Sequence, residues 1–336
     1  MKIFYAVQAT GNGHISRAME LLPHLQKYGS VDIFLSGDNS NLALDAPIKF
    51  RSKGISLFYN CNGGLDYWEM LKKFQPLRVK QEIRDLPVEK YDLVLNDFEY
   101  ITSAACVRKK ISSIHFGHQA SFQSLHTPRP LKKNSTGEWL LKKYIKAEHH
   151  VGLHFKKYDD FIFTAIVKEE ILKADPRDLG YYTVYLPSYC EKQLIDIFSN
   201  FIDFKFQIFS KETSALKTTG NITFIPVNKQ LFNQSLINCS GIISGGGFET
   251  PAEALHLGKK IMVIPIRGQY EQLCNTEALS RLGITCLPYI ERNFAGIFNE
   301  WVQSSTPIQI DYSDSIPDCL NHIFSTVESE NKLQTV

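Results

Sequence analysis

The stretch from Ser244 to Ala254 contains residue types that can hold a phosphate and a sugar ring. Gly245, Gly246 and Gly247 follow a short apolar strand and allow the backbone to approach a ligand closely, because glycine has no Cβ. The next residues are predicted to open a helix, whose free N–H groups and positive dipole end favour an anion such as phosphate. Glu253 would lie about one turn inside that helix, within reach of hydroxyls on the same ligand. The loop therefore predicts a site for a nucleotide or a nucleotide-sugar.

A second glycine turn follows the first predicted strand, in the segment Thr10-Gly11-Asn12-Gly13-His14. Its glycines suit a tight strand-to-helix turn whose backbone approaches a ligand. Ser16 stands where a dinucleotide-binding fingerprint has its third glycine, which argues against NAD binding and a dehydrogenase. His14 at the tip of the turn would face a cleft as a catalytic base or a sugar-phosphate contact. A helix-capping or core histidine is the alternative.

A polar cluster follows another predicted strand, Lys260 to Ile264, and would face the same crevice as the glycine loop. Its members crowd the start of a helix and are Gln269, Glu271, Gln272 and Asn275. The carboxyl ends of neighbouring parallel strands meet at one edge of a sheet, where α/β proteins bind ligands. Helix capping and surface solvation are the alternative explanation for this cluster.

Two further strand ends are candidates for the acceptor side of such a site. Asp97 and Glu99 follow one predicted strand, and His118 follows the next. A histidine beside a carboxylate could titrate near neutral pH and remove the proton of an acceptor hydroxyl. Helix capping by Asp97 is the alternative.

Alternating apolar strands and helical segments must position these residues. The first half alternates from Ile3 to Thr164, and the pattern restarts at Thr183 and continues to Leu282. Such alternation is typical of βαβ units around a parallel sheet. The polar, turn-forming segment Asp175–Gly180 separates the halves as a linker would. We therefore predict an α/β protein with domains at residues 1–178 and 179–318, facing across a cleft, and a C-terminal helix and polar tail at residues 319–336.

The composition argues against several classes of protein. A chain of 336 residues fits two domains of ordinary size, and its formal charge of +2 is too small to imply nucleic-acid binding. Its seven cysteines are odd in number and scattered without a C-x-x-C pair, which indicates buried, reduced thiols. The N-terminal apolar segment is too short for a signal peptide, and the chain has no run of about 18 apolar residues. A cytoplasmic protein is expected.

One segment departs from the alternating pattern. Residues 129–146 are both basic and rich in aromatic and aliphatic side chains, with Trp139 near the centre. A solvated helix with one buried face explains this composition. The alternative is a surface helix that contacts anionic lipid or a lipid-linked acceptor at the inner face of a membrane.

Together, the Gly-Asn-Gly-His turn and residues 241–275 resemble the GT-B glycosyltransferases. The branch they resemble includes the lipid-II-forming N-acetylglucosaminyl transferase and the UDP-glucuronosyl and macrolide transferases. The resemblance implies two Rossmann-like domains, with the acceptor on the first and the nucleotide-sugar on the second. It also implies a hexosyltransferase-type enzyme that moves a sugar from a UDP-linked donor to an acceptor hydroxyl with inversion. A glycan, a lipid-linked molecule or a small molecule would be the acceptor.

The resemblance implies roles for individual residues. Backbone groups of the glycine loop would bind the diphosphate, and a separate set of side chains would face the ribose and the donor sugar. The diphosphate contacts are Gly13, Gly245, Gly246, Gly247, Phe248 and Thr250, the ribose contact is Glu253, and the sugar contacts are Gln269, Glu271 and Gln272. The family usually has Asp-Gln where this chain has Glu271-Gln272, so the family's sugar selectivity is not transferred.

In this interpretation His14 is the catalytic base, or assists it, and Asp97 orients it. Glu99 and His118 would contact the acceptor.

Two alternative functions stay open on the same scaffold. A UDP-sugar 2-epimerase needs several acids close to the sugar, and few surround the glycine loops. A nucleotide-sugar-binding protein without catalysis is the other.

No metal or cofactor is expected, because the nucleotide-sugar is a substrate. His115, His118 and Asp97 have residue types that could ligate a metal, but transferases of this fold stabilise the leaving diphosphate with a helix dipole and backbone amides. His149, His150 and His154 have the spacing of metal ligands on a helix, without an acid cluster nearby.

Overall fold

The computed structural model describes residues 1–9, 12–37, 44, 46–54 and 75–334, with side chains up to residue 329. Thr10 and Gly11 of the first glycine turn lie outside the described residues, and so does Cys61. Among the described residues the structure contains two seven-stranded sheets, one in each half of the chain. The predicted α/β class is confirmed.

The first sheet is parallel throughout and has the strand order β3-β2-β1-β4-β5-β6-β7. Its strands are β1 (Lys2–Gln8), β2 (Ser30–Ser36), β3 (Ile48–Ser52), β4 (Leu93–Asp97), β5 (Ile114–Gly117), β6 (His149–His154) and β7 (Ile162–Thr164). The order reverses between β1 and β4, and a crevice opens at the carboxyl ends of strands at such a point. The end of β4, which carries Asp97, therefore lies beside this crevice.

The helices of this half are α1 (Asn12–Leu25), α2 (Pro76–Asp85), α3 (Tyr100–Lys109), α4 (Ser135–Lys143) and α5 (Glu169–Leu172). Short 3-10 helices span Val88–Lys90 and His118–Gln123. The expected boundary near residue 178 falls between the last strand of the first sheet and the first strand of the second.

The second sheet has the order β10-β11-β9-β8-β12-β13-β14, with only β10 antiparallel among its described strands. The strands are β8 (Tyr181–Tyr185), β9 (Lys205–Ser210), β10 (Lys217–Thr219), β11 (Ile222–Pro226), β12 (Gly241–Ser244), β13 (Lys260–Val263) and β14 (Thr285–Cys286). The helices are α6 (Glu191–Phe198), α7 (Lys229–Asn238), α8 (Glu249–His256), α9 (Tyr270–Arg281) and α10 (Phe294–Ser304). The glycine loop joins β12 to α8, as the sequence predicts.

The last helix, α11 (Ser315–Gln334), returns to the first half of the molecule. The ring of Phe324 stacks on that of Tyr28 with centroids 3.7 Å apart, and Ser315 Oγ lies 2.5 Å from Thr164 Oγ1. The helix begins before the predicted residue 319 and continues through the polar residues expected to form a tail. Its apolar face explains this, because Ile323 and Phe324 are buried.

Two expectations are corrected. His149, His150 and His154 lie on strand β6 instead of a helix. Val151 favours a strand, Gly152 disfavours a helix, and β6 pairs with β5 and β7. All six described cysteines are free, but Cys190 is exposed and not buried.

Candidate active site

Three polar side chains meet where α1 begins beside the end of β4. His14 Nδ1 lies 2.7 Å from Asp97 Oδ1, so the structure brings together the predicted base and its orienting carboxylate. Arg17 donates from Nε and Nη2 to the two oxygens of Asp97 over 3.0 and 2.9 Å. Arg17 Nη2 is also 3.0 Å from His14 Nδ1. Because β1 and β4 are parallel neighbours, the helix that follows β1 starts next to the carboxylate that ends β4.

The Asp97 carboxyl is ionised although it is fully buried. Burial raises the pKa of this group, but the charges of Arg17 and His14 outweigh that effect and bring the pKa to about 2. The pKa of Arg17 is raised in turn, because the attraction of Asp97 and Glu249 outweighs burial. When Nδ1 of His14 is held by Asp97, Nε2 is the ring nitrogen that can accept a proton.

The backbone around this cluster has special conformations. Gly117 has φ of 110°, and a Cβ there would lie 2.8 Å from Asp97 Oδ1 and 3.2 Å from Arg17 Nη2. Phe98 has φ of 60°, which is rare for a residue with a side chain. Its ring lies parallel to that of His14, with centroids 6.4 Å apart. Gly117 therefore makes room for the buried ion pair, and Phe98 supports the histidine ring.

Glu99 has a structural function in this arrangement. Its carboxylate accepts hydrogen bonds from the backbone N–H groups of Ile101 and Thr102 at 2.9 and 2.6 Å, and from Ser36 Oγ at 2.9 Å. It therefore caps α3, whereas the sequence indicates Asp97 as a candidate for this role. The side chain is 0% exposed, so an acceptor cannot reach it in this conformation.

The glycine loop of the second half is held by side chains of α9. The backbone N–H groups of Gly246 and Ile266 both donate to Gln272 Oε1, over 3.2 and 2.8 Å. Asn275 Nδ2 donates to the carbonyl of Gly246 over 3.0 Å. A Cβ at Gly246 would meet the backbone of Gln272 at 2.8 Å, whereas Gly247 faces open space. Gly246 therefore permits close packing on α9, and Gly247 permits approach from outside.

A cavity of about 310 Å³ lies between the two halves. Of the predicted residues, Gly13, Thr250 and Glu253 line it. The predicted catalytic residues His14 and Asp97 do not, nor do the three loop glycines, Gln269, Glu271 and Gln272. Tyr185 and Phe232 supply aromatic surface to its wall in the second half. Lys168 and Glu249 also line it, and the sequence assigned no role to either.

Two ion pairs cross the cleft beside this cavity, and we call them the ionic contact. Arg17 Nη1 lies 3.0 Å from Glu249 Oε1, and Lys168 Nζ lies 2.9 Å from Glu253 Oε1. In each pair the cation belongs to the first half and the carboxylate to α8. Glu253 is buried, which raises the pKa of its carboxyl, although the charge of Lys168 opposes this effect.

A second set of contacts, which we call the packed contact, joins the halves mainly through aromatic and aliphatic side chains. The His118 ring stacks on Phe248 with centroids 4.0 Å apart, and its Nε2 lies 2.8 Å from Asn275 Oδ1. Gln119 approaches Glu271 at 3.3 Å. Leu141 of α4 joins a buried cluster with Phe122, Tyr270 and Cys274. The predicted acceptor contact His118 and the predicted sugar contact Glu271 therefore lie near the junction of the halves.

Among the described residues, no three His, Cys, Asp or Glu side chains are close enough together to hold a metal ion. His115 is buried and both its ring nitrogens lack a hydrogen bond. Burial and the neighbouring His150 lower its pKa to about 3.

Within the described chain, no helix has the length and apolar character needed to span a membrane.

Sequence reasoning missed Arg17, Gly117, Lys168 and Glu249. Arg17 had a usable signal, because it lies three residues after His14 and so on the same face of α1. The other three depend on partners that are distant in sequence. Glu249, for example, meets a residue 232 positions away.

The model of a protein family described as Glycosyl transferase family 1 matches residues 1–293. Among solved structures, the glycosyltransferase SnogD from Streptomyces nogalater is 15% identical, with a TM-score of 0.56 and 99% of each chain covered. UGT89C1 from Arabidopsis thaliana, solved with UDP-L-rhamnose, is 11% identical, with a TM-score of 0.63 and 98% of each chain covered. The glycosyltransferase VinC, solved with dTDP, is 13% identical, with a TM-score of 0.51; 98% of this chain and 95% of VinC are covered. No curated protein matches the chain.

Proposed function

The chain belongs to glycosyl transferase family 1 and is a glycosyltransferase of the GT-B fold, and on this premise we propose that it transfers a sugar from a UDP-linked donor to an acceptor hydroxyl, with inversion and without a metal cofactor. One observation carries the proposal. His14, paired with Asp97, directly follows Gly13, which lines the interdomain cavity. Arg17 joins Asp97 to Glu249 on the opposite wall, which also holds Glu253. A base and a nucleotide-sized cavity with a hydroxyl-binding carboxylate therefore share one cleft.

The choice of donor is supported by the second wall of the cavity. The first turn of α8 has no side-chain cap, so its N–H groups and dipole suit the diphosphate. Glu253, one turn further along, suits the ribose hydroxyls once they displace Lys168. The relatives solved with UDP-L-rhamnose and dTDP hold nucleoside diphosphates, which agrees with a donor of this class. Within the fold, we assign the chain to the branch of the lipid-II-forming and UDP-glucuronosyl transferases, as its glycine motifs indicate.

The chemistry follows from the His14 arrangement. Nε2 of His14 takes the proton of the acceptor hydroxyl as the acceptor oxygen forms its bond to the anomeric carbon. The bond from that carbon to the diphosphate breaks, and the diphosphate leaves with the bonding electrons. Asp97 holds Nδ1 and stabilises the imidazolium that forms. The α8 amides and a nearby cation stabilise the charge on the leaving group.

For the acceptor, we propose a lipid-linked molecule reached through residues 129–146 at an anionic membrane surface. α4 buries Leu141 toward the second half, while Trp139 is 58% and Leu131 103% exposed beside the exposed Lys132 and Lys133. Exposed apolar side chains beside lysines are suited to the interface of an anionic bilayer. Co-sedimentation with phosphatidylglycerol vesicles is expected, and Trp139→Ser should weaken it. Equal behaviour with phosphatidylcholine, or no sedimentation at all, would contradict this acceptor.

The central test combines nucleotide binding with turnover. UDP should raise Tm more than GDP or dTDP, because the donor is proposed to be UDP-linked. His14→Gln should lower kcat by about 10²- to 10⁴-fold and leave the Kd for UDP unchanged, because a base acts only in the chemical step. His24→Gln, on the last turn of the same helix, is the matched control. Stabilisation by no nucleotide, or full turnover in His14→Gln, would overturn the proposal, whereas epimerised UDP-sugar without an acceptor would favour the 2-epimerase.

A further inference from the structure

Arg17 is a fixed cation that reaches from the first half of the molecule toward α8. Its side chain is 2% exposed, and its Nε and Nη2 donate to the two oxygens of Asp97. Nη1 extends across the cleft to Glu249 Oε1 at 3.0 Å. Because Asp97 holds Nε and Nη2, Nη1 is free to donate to an anion at the start of α8.

The carboxylate of Glu249 occupies a position that several anion-binding groups surround. Glu249 is the first residue of α8, so its charge lies at the positive end of the helix dipole. A Cβ on Gly13 would come within 2.5 Å of this carboxylate, which shows how closely the first glycine turn approaches it. The turn at Gly13, the guanidinium of Arg17 and the start of α8 therefore surround one position.

These are the groups that a donor diphosphate needs, and a carboxylate cannot share them with it. Two negative charges placed side by side at this position would repel each other. The Glu249 side chain is 31% exposed, so it can turn toward solvent, whereas Arg17 at 2% is held in place. We propose that Glu249 competes with the donor diphosphate for Arg17, and that Arg17 is the cation that contacts the leaving diphosphate. This inference rests on the proposed function, because it requires a nucleoside-diphosphate donor.

The experiment compares UDP with uridine, which lacks the diphosphate, by isothermal titration calorimetry. Glu249→Gln should lower the Kd for UDP on the order of tenfold, because a competing charge is removed from a charge-assisted contact. The Kd for uridine should not change. Glu277→Gln is the matched control, since Glu277 is a carboxylate of the same half that pairs with Arg281 at 2.8 Å, outside the residues that line the cavity. The control should bind both ligands as the native protein does.

A second variant makes the test specific for Arg17. In Glu249→Gln, the additional change Arg17→Lys should reverse the gain in UDP affinity, because lysine cannot hold Asp97 with two groups and still reach the diphosphate. Glu249→Ser replaces Glu249→Gln if circular dichroism shows that the latter is unfolded. An unchanged or weaker affinity of the Glu249 variants for UDP, in a protein that binds UDP, would overturn the inference and leave the proposed function standing. UDP binding by neither the native protein nor any Glu249 variant would overturn both.

Discussion

Two contacts between the halves of this glycosyltransferase, the ionic contact and the packed contact, differ in chemistry. The ionic contact consists of two cation–carboxylate pairs beside the cavity, Arg17–Glu249 and Lys168–Glu253. The packed contact consists of stacked rings and a buried cluster around Leu141 and Tyr270. An anionic ligand can replace a carboxylate in an ion pair, but it offers nothing to a stacked ring. The ionic contact is therefore suited to exchange partners during the reaction, and the packed contact to hold the halves together.

The largest expected effect comes from removing the carboxylate that supports the ionic contact. In Asp97→Asn the buried Arg17 keeps Glu249 as its one remaining carboxylate partner among the described contacts. Because a buried ion pair is broken, the free energy of unfolding should fall by about 3–5 kcal/mol. Chemical denaturation monitored by circular dichroism measures this loss. Turnover should also fall, because His14 loses its orienting group.

Asp196→Asn, at an exposed position of α6, is the control for Asp97→Asn and should unfold as the native protein does. If Asp97→Asn lost less than about 1 kcal/mol, the value of an exposed pair, the buried cluster would not support the ionic contact.

A smaller effect is expected in the packed contact. Leu141 is 3% exposed, and Leu141→Ala should destabilise the protein by about 2–4 kcal/mol through lost burial and a residual cavity. The Kd for UDP should stay unchanged, since Leu141 does not line the cavity. Denaturation and calorimetry on the same variant measure both quantities.

Leu131→Ala provides the matched comparison for Leu141→Ala, because the same deletion on a fully exposed side chain should change neither quantity. A large loss of UDP affinity in Leu141→Ala would remove the distinction between the two contacts.

The smallest expected effect concerns pH. Burial, with the charges of His118 and Arg129, holds the pKa of His154 well below its ordinary value of 6.5. A histidine with a lowered pKa costs the fold no stability above about pH 6.5, where it is neutral in both the folded and the unfolded state. As the pH falls below that value the free energy of unfolding decreases by up to about 1.4 kcal/mol per pH unit. His154→Asn keeps an acceptor for the Phe155 N–H, so its Tm should fall less between pH 7 and pH 5 than that of the native protein.

The control for His154→Asn is His126→Asn, which removes an exposed histidine and should retain the native pH dependence. The centroids of the His154 ring and the His118 ring of the packed contact lie 5.0 Å apart. Equal slopes in the native protein and His154→Asn would mean that His154 does not make this contact sensitive to acid.

The sequence predicts the parts of this site that depend on neighbouring residues. Loop glycines between an apolar strand and a helix are a local pattern, and β12 and α8 follow it. The meeting of His14 and Asp97 follows from strand ends that share an edge. The ionic contact could not be foreseen, because its partners are brought together by the packing of one half on the other. Glu99 shows the limit even locally, because choosing between two carboxylates for a helix cap requires the turn at Phe98, whose φ of 60° no propensity predicts.

The return of α11 to the first half has a consequence for synthesis on the ribosome. The surface that α11 covers includes Tyr28 and Thr164, and its covering residue Ser315 is translated 151 positions after Thr164. A nascent chain that has completed the first sheet therefore carries this apolar surface uncovered while the whole second sheet is made. The first half therefore gains its last helix only after the second sheet has been translated.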